Sequence, residues 1–95
     1  MGGALMARYR VMSWRGIPSQ VKATDETGAT AARMLPNTWQ QEIDRVAMRE
    51  DLAGTDEYLE LWGWSAESER PGTVDEVAEA VLAELVAAGL PTSDG

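Results

Sequence analysis

The chain has 95 residues and carries 16 acidic against 8 basic side chains, so its formal net charge at pH 7 is -8. It contains neither cysteine nor histidine, which excludes disulfides, thiolate metal sites, cysteine nucleophiles and histidine-based acid–base catalysis. A chain of this length is typical of one domain with a small core. No apolar run approaches the ~18 residues of a membrane-spanning helix, so we expect a cytoplasmic domain with no membrane partner.

Charge is distributed unevenly along the chain. Residues 1–40 contain five basic and two acidic side chains, whereas residues 41–95 contain three basic and fourteen acidic ones. An acidic domain is a poor ligand for a phosphate backbone, because that binding depends on many Lys and Arg contacts. We therefore expect no nucleic-acid partner, and we expect most of the acidic side chains to form a solvated surface.

The first predicted elements are two short strands. Side-chain alternation predicts extended structure at residues 8–14 and again at residues 20–24. Gly16 permits a tight bend between them, and Pro18 fixes its own φ angle. The two runs are close enough to pair as a hairpin with a connection of about four to six residues.

A helix is predicted after an irregular stretch. Residues 29–35 fit either a turn of helix or an irregular approach to the next element, and we assign them to a loop. Asn37 is the predicted N-cap, with Gln40 three residues later as in a capping box. The helix is expected to end near Asp51, with Gly54 as the break. Its apolar face comprises Trp39, Ile43, Val46 and Ala47.

Residues 58–64 are predicted to form the third strand. Alternation places Leu59 and Leu61 on one side of it, and the aromatic content favours extended structure. A helical turn beginning at Thr55 or Asp56 is the competing interpretation.

The last helix has the clearest signals. It follows a polar connection at residues 65–72, and Thr73 with Glu76 forms the capping-box pattern Thr-x-x-Glu. Gly89 ends the helix and Pro91 prevents its continuation. Its apolar stripe comprises Val74, Val77, Ala78, Val81, Leu82, Leu85 and Val86.

The predicted fold is therefore an α+β domain with the order β-β-α-β-α, in which two helices pack on one face of a three-stranded sheet. We expect residues 7–90 to form this domain, with a flexible extension at 1–6 and a disordered tail at 91–95. If both helices cover the side of the sheet with Tyr9 and Val11, the other side is exposed. That side would show Arg8, Arg10, Met12, Trp14, Lys22, Tyr58, Trp62 and Trp64.

An exposed face rich in aromatic and Arg side chains is typical of a protein-binding or self-association surface. We predict that a partner would bury Trp14 and Trp62 as anchors, with the arginines giving orientation and pairing with acids on the partner. The alternatives are that residues 26–36 or the tail cover this face, or that the Trp pair belongs to the core. The candidate partner-binding residues are Arg8, Arg10, Met12, Trp14, Arg15, Tyr58, Trp62 and Trp64.

The sequence offers little for catalysis. It has no carboxylate pair suited to acid–base work, no spaced acidic loop for a metal and no phosphate-binding glycine loop. We therefore predict no catalytic residue, no metal and no cofactor. A stripe of Gln41, Arg45 and Arg49 fits either an anion site or surface arginines paired with nearby acids, and we favour the pairing.

Several segments together resemble a known family. They are YRVMSWRGIPSQVKA, the Leu35-Pro36 helix start followed by Ile43-Asp44, and TDEYLELWGW before a capped acidic helix. The chain resembles the small bacterial domain family named virulence factor, which also occurs at the carboxyl end of NifU-like conserved virulence factor C proteins. The resemblance covers about residues 7–85. The chain departs from the family in having Gly63 between its two Trp residues, where Arg is usual.

The family name describes a phenotype and no chemistry, so the resemblance assigns no catalytic residue. We predict a non-catalytic interaction domain that binds another protein or a second copy of itself as a homodimer. The resemblance also implies an alternative, an accessory module that handles a small ligand or cofactor for corrinoid- and folate-dependent methyl-transfer enzymes. One-carbon or methyl-transfer enzymes would then be the partners.

Overall fold

The computed structural model describes residues 5–90 of the chain. The predicted tail at 91–95 and most of the predicted extension at 1–6 lie outside this range. The strands are β1 (Met6–Trp14), β2 (Ile17–Asp25), β3 (Thr30–Met34), β4 (Trp62–Trp64) and β5 (Ser68–Pro71). The helices are α1 (Asn37–Arg49), α2 (Asp56–Glu60) and α3 (Val74–Ala88).

The strands form a single antiparallel sheet around β1. On one side β1 pairs with β2, which in turn pairs with the edge strand β3. On its other side β4 pairs with the carboxyl-terminal end of β1, at Met12–Trp14, and β5 with the amino-terminal end, at Met6–Tyr9. The α+β class predicted from the sequence is confirmed, but the sheet has five strands rather than three.

Three segments differ from the prediction. The predicted loop at 29–35 contains β3, and the predicted polar connection at 65–72 contains β5. Both are short strands at the sheet margin, held by backbone hydrogen bonds to a longer strand rather than by alternating apolar side chains. The predicted strand at 58–64 is divided, since α2 takes its first part and β4 its last. The Thr55 side chain caps α2 by accepting a hydrogen bond from the Tyr58 backbone N–H, as the competing helical interpretation required.

The hairpin between β1 and β2 is tighter than predicted. Trp14 pairs directly with Ile17, so only Arg15 and Gly16 lie in the connection. Both residues have positive φ angles, 50° and 82°, as a two-residue turn that matches the twist of its strands requires. The predicted four- to six-residue connection is wrong because β2 begins at Ile17, three residues before its predicted start, whereas β1 ends at Trp14 as predicted.

Helix α1 has the predicted buried face but not the predicted cap. Trp39, Ile43, Val46 and Ala47 are all buried. Pro36 occupies the N-cap position and no side chain caps the helix, so the predicted capping box of Asn37 with Gln40 is wrong.

Helix α3 begins and ends as predicted. The Glu76 N–H donates to the Thr73 hydroxyl at 3.1 Å, and the Thr73 N–H donates to the Glu76 carboxylate at 2.9 Å. Gly89 ends the helix with a φ angle of 85°, a conformation that glycine adopts without strain. The buried side is formed by Val74, Val77, Ala78 and Val81.

Ion pairs attach α3 to the sheet. Helix α3 packs across β1, β2 and β3, whereas α1 packs against β2. Arg33 of β3 donates to Glu79 at 2.5 Å and to Asp75 at 3.0 Å. Arg70 of β5 donates to both carboxylate oxygens of Glu84, at 2.9 and 2.6 Å. Two margins of the sheet are thus each connected to the same helix by an arginine.

The capping box gives a first prediction. Thr73→Ala leaves the Glu76 N–H without its side-chain acceptor, and should lower the free energy of unfolding by about 1 kcal/mol. Urea denaturation followed by circular dichroism measures the change. Thr38→Ala is the matched control, because Thr38 is an exposed residue in the first turn of α1 and should change stability little. Equal losses in both variants would contradict a capping role for Thr73.

The Arg70–Glu84 pair predicts a pH dependence. The Arg70 guanidinium holds the pKa of Glu84 below its ordinary value by hydrogen bonding to it. Because the folded pKa is the lower one, this stabilisation is present above the unfolded pKa of about 4.3 and disappears as pH falls through the folded value. Glu84→Gln should therefore be less stable than the wild type at pH 7 but not at pH 2, as judged by thermal unfolding. Glu26→Gln removes the same charge from an exposed turn and is the matched control, and the same behaviour in both variants would contradict a role for the Arg70 pairing.

Candidate interaction surface

Strand β1 presents two different faces. Ala7 and Tyr9 belong to the face that α3 covers: Ala7 pairs with Arg70, the β5 residue that reaches Glu84 on the helix. Alternation places Arg8 and Arg10 on the opposite face. The separation predicted between an apolar and a basic face of this strand therefore holds over its first half.

The second half of β1 differs from the prediction at Trp14. This residue was predicted on the exposed face, as an anchor that a partner would bury, but its side chain is already fully buried within the chain, with 0% exposure. Its ring lies 5.4 Å from that of Tyr58, and its Nε1–H donates to the Tyr58 carbonyl oxygen at 2.9 Å. The prediction fails because α2, which was predicted as strand, brings Tyr58 against the indole. Trp14 is a core residue, as the alternative interpretation of the Trp pair allowed.

The neighbours of Trp14 are engaged in the same packing. Tyr58 and Trp62 are half-buried, with their rings edge to face at a centroid distance of 6.2 Å. Arg15 forms an ion pair with Glu50, and its guanidinium carbon lies 5.9 Å from the centre of the Trp14 ring. Trp14, Tyr58 and Trp62 therefore form a packed aromatic cluster with Arg15 beside it, and these residues do not form an open patch.

The remaining predicted residues are located around an open groove. Arg8 and Arg10 are exposed, Met12 is half-buried, and Trp64 pairs with Met12 across the β1–β4 ladder. A cavity of about 190 Å³ opens on this face; we call it the cationic groove. It is lined by Arg8, Arg10, Lys22, Thr24, Trp64 and Glu67, with Tyr9 at the strand position between the two arginines.

The charges of the cationic groove are only partly compensated. Arg10 lies directly opposite Lys22 in the β1–β2 register, and like charges in that position destabilise a sheet. Glu67 approaches Arg10 at 3.6 Å. Within residues 5–90, neither Arg8 nor Lys22 forms an ion pair. The groove thus concentrates positive charge on a chain that is acidic as a whole.

Part of this groove is predictable from strand alternation. Lys22 was predicted on the exposed face but was not included among the candidate partner-binding residues, although strand alternation was sufficient to include it. Thr24 and Glu67 were missed. Glu67 lies in the link between β4 and β5, and only the non-local pairing of those two strands with β1 brings it to Arg10.

The arginines of α1 behave as the surface interpretation predicted. Arg45 donates to both carboxylate oxygens of Glu42, at 3.0 and 2.6 Å. This bonding holds the pKa of Glu42 below its ordinary value. Arg49 lies 3.8 Å from Glu50.

Over residues 5–90, no group of three or more His, Cys, Asp and Glu side chains is placed to hold a metal ion.

None of the helices between residues 5 and 90 has the length and apolar character needed to cross a membrane.

The fold and the groove define a small α+β domain with an exposed basic and aromatic sheet face. A family model described as virulence factor matches residues 12–90. The chain therefore belongs to the virulence factor family, as its sequence motifs indicated. Comparisons with curated proteins and with solved structures find no match.

The two kinds of tryptophan environment give a further prediction. Trp14→Phe removes the hydrogen bond to the Tyr58 carbonyl and leaves a void, so the free energy of unfolding should fall by about 1–3 kcal/mol. Trp64→Phe, at a residue that is 41% exposed, should change it by less than about 0.5 kcal/mol. Urea denaturation of both variants measures the difference. Similar values for the two would contradict the assignment of Trp14 to the core.

Proposed function

We propose that this protein is a non-catalytic interaction domain whose cationic groove binds an acidic segment of another protein. The observation that carries the proposal is the placement of Arg10 directly opposite Lys22, with Arg8 two residues away on the same strand face. Such an arrangement costs folding stability. An anionic partner seated across β1 and β2 would relieve that cost.

The composition of the groove supports a protein partner. Trp64 is 41% exposed and lines the cavity together with Arg8 and Arg10. Tryptophan and arginine are the side chains that most often contribute a large share of binding free energy at protein interfaces. Trp64 would provide apolar contact area, and the cations would orient the acidic segment and accelerate its association.

Charge favours a foreign partner over a second copy. In a two-fold dimer the same patch contacts itself, which would place Arg8, Arg10 and Lys22 against their own equivalents. That juxtaposition is repulsive unless acidic groups intervene. We therefore expect the isolated protein to remain monomeric in sedimentation experiments over a concentration series.

Neutralising one groove cation tests the proposal. The probes are fluorescein-labelled peptides rich in Asp and Glu, with the corresponding Asn and Gln peptides as neutral controls, measured by fluorescence anisotropy. Lys22→Gln should weaken binding to the acidic peptides by about tenfold. It should leave folding stability unchanged or slightly raised, because it removes the like-charge pair with Arg10. This opposite response of binding and stability is the expected signature of a binding cation.

Arg45→Gln is the matched control, since it removes the same charge from α1, outside the cationic groove. It should leave peptide binding within about twofold of the wild type. Equal weakening by both variants would mean that only net charge matters, and would contradict the groove assignment. A dimer that Lys22→Gln dissociates would assign the face to a second copy instead.

A further inference from the structure

A second cavity lies between the end of α1 and the start of α2. We call it the α1–α2 pocket. Its volume is about 410 Å³, more than twice that of the cationic groove, and the two share no lining residue. Its walls are mainly apolar and contain one carboxylate: they are formed by Asp44, Ala47, Met48, Ala53, Gly54 and Tyr58.

The loop between the two helices forms one wall of this pocket. The Leu52 N–H donates to the Ala47 carbonyl at 2.7 Å, and the Thr55 N–H and hydroxyl both donate to the Leu52 carbonyl. These bonds fix the loop against α1, while Ala53 and Gly54 stay exposed. A Cβ atom placed on Gly54 would meet no atom within 4 Å. The wall is therefore set by hydrogen-bonded backbone, and the space beside it is open.

Both helices at the pocket carry strongly exposed apolar side chains. Met48 of α1 is 72% exposed and Leu59 of α2 is 66% exposed, the highest values for any large apolar residue between 5 and 90. Met48 follows Asp44 by four residues, so the two share one face of α1. Exposed apolar surface edged by polar groups marks interaction sites, and methionine adapts its shape to the surface it contacts.

The segment around the pocket is acidic. Residues 44–60 contain six acidic and two basic side chains, and both of these arginines form an ion pair with a nearby glutamate. Within residues 5–90, none of Asp44, Asp51 and Asp56 forms an ion pair. Covering a carboxylate without supplying a cation costs free energy, because the charge loses its water. A partner that covers this pocket therefore needs positive charge.

The ends of the chain supply no basic side chain for the pocket. Residues 1–4 and 91–95, which lie outside the described range, read MGGA and PTSDG and contain neither lysine nor arginine. The cations without ion pairs in the described chain, Arg8 and Lys22, line the cationic groove instead. A basic segment of another protein is the occupant that fits both the apolar walls and the acidic surroundings.

We propose that the α1–α2 pocket is a docking site for a basic amphipathic helix of a partner protein. The lining residues belong to helices and a loop, with no strand edge to pair with an extended segment. Apolar side chains on one face of the partner helix would contact Met48 and Tyr58, as in helix-in-groove complexes. Lysines or arginines beside that face would pair with Asp44 and the acids of the loop. Because the pocket shares no lining residue with the cationic groove, this proposal stands or fails separately from the proposed function.

The test is an NMR titration of protein labelled with ¹³C at the methyl groups of its five methionines. The probe is a synthetic helical peptide of leucine and lysine, with the leucines at i, i+3, i+4 and i+7 so that they form one apolar face. Met48→Gln and Met34→Gln assign the two methyl signals by their loss. The Met48 signal should shift and saturate. The Met34 signal, from a methionine 63% exposed on β3, should not move.

Matched variants separate the apolar from the charged contribution, with binding of the fluorescein-labelled peptide measured by anisotropy. Met48→Gln should weaken binding by about tenfold, because an amide replaces the apolar contact, whereas Met34→Gln should stay within about twofold. Asp44→Asn should weaken binding by about fivefold and reduce its salt dependence. Glu26→Gln removes the same charge from an exposed turn and should stay within about twofold.

Two control peptides and one further variant complete the test. A peptide of the same composition in scrambled order, and one with glutamate in place of lysine, should each bind at least about tenfold more weakly. Lys22→Gln should leave binding of the basic peptide within about twofold, because Lys22 lies in the cationic groove. A Met48 signal that stays unmoved, or that moves equally with the scrambled peptide, would overturn the proposal. Self-association that both Met48→Gln and Lys22→Gln abolish would also overturn it, and would assign the pocket to the groove of a second copy.

Discussion

The burial of the Trp14 indole is the constraint on which the arrangement of the other aromatic residues depends. A buried indole N–H without an acceptor destabilises the folded state, and Trp14 has one, the main-chain carbonyl of Tyr58 in α2. That bond connects the end of the central strand to a segment 44 residues later in the chain. Strand β4 begins two residues after α2 ends, and its pairing with β1 places Trp62 opposite Trp14.

The same constraint divides the exposed face into two parts. At the Trp14 end, Tyr58 and Trp62 pack together. At the other end no helix within residues 5–90 carries aromatic side chains over Arg8, Arg10 and Lys22, and the cationic groove opens between them and Trp64. One end of β1 is thus packed and the other end is open on this face. The boundary between the two parts lies near the pairing of Met12 with Trp64.

How far the sequence predicts this structure depends on whether a signal is local. The Thr73–Glu76 capping box, the Gly89 stop and the buried face of α1 are set by neighbouring residues, and all were predicted correctly. Strands β3 and β5 were missed because their formation depends on pairing with β2 and β1. Trp14 and Trp64 were predicted on the same exposed face, yet one is buried and the other is not. That difference is caused by the packing of α2 against Trp14. The competing interpretation placed a helical turn at Thr55 or Asp56, but no local pattern indicates that this turn packs on Trp14.

The basic side chains divide into those that form ion pairs with the helices and those that do not. Arg33 and Arg70 are each bonded to acids of α3, which holds that helix on the sheet. Arg15 is likewise paired, with Glu50 at the end of α1. Arg8 and Lys22 make no such pair within the described chain, although fourteen acidic residues follow residue 40. Acids are abundant and the paired arginines show that the fold uses them, so the absence of ion pairs at these two cations within the described chain supports the proposal of an acidic partner.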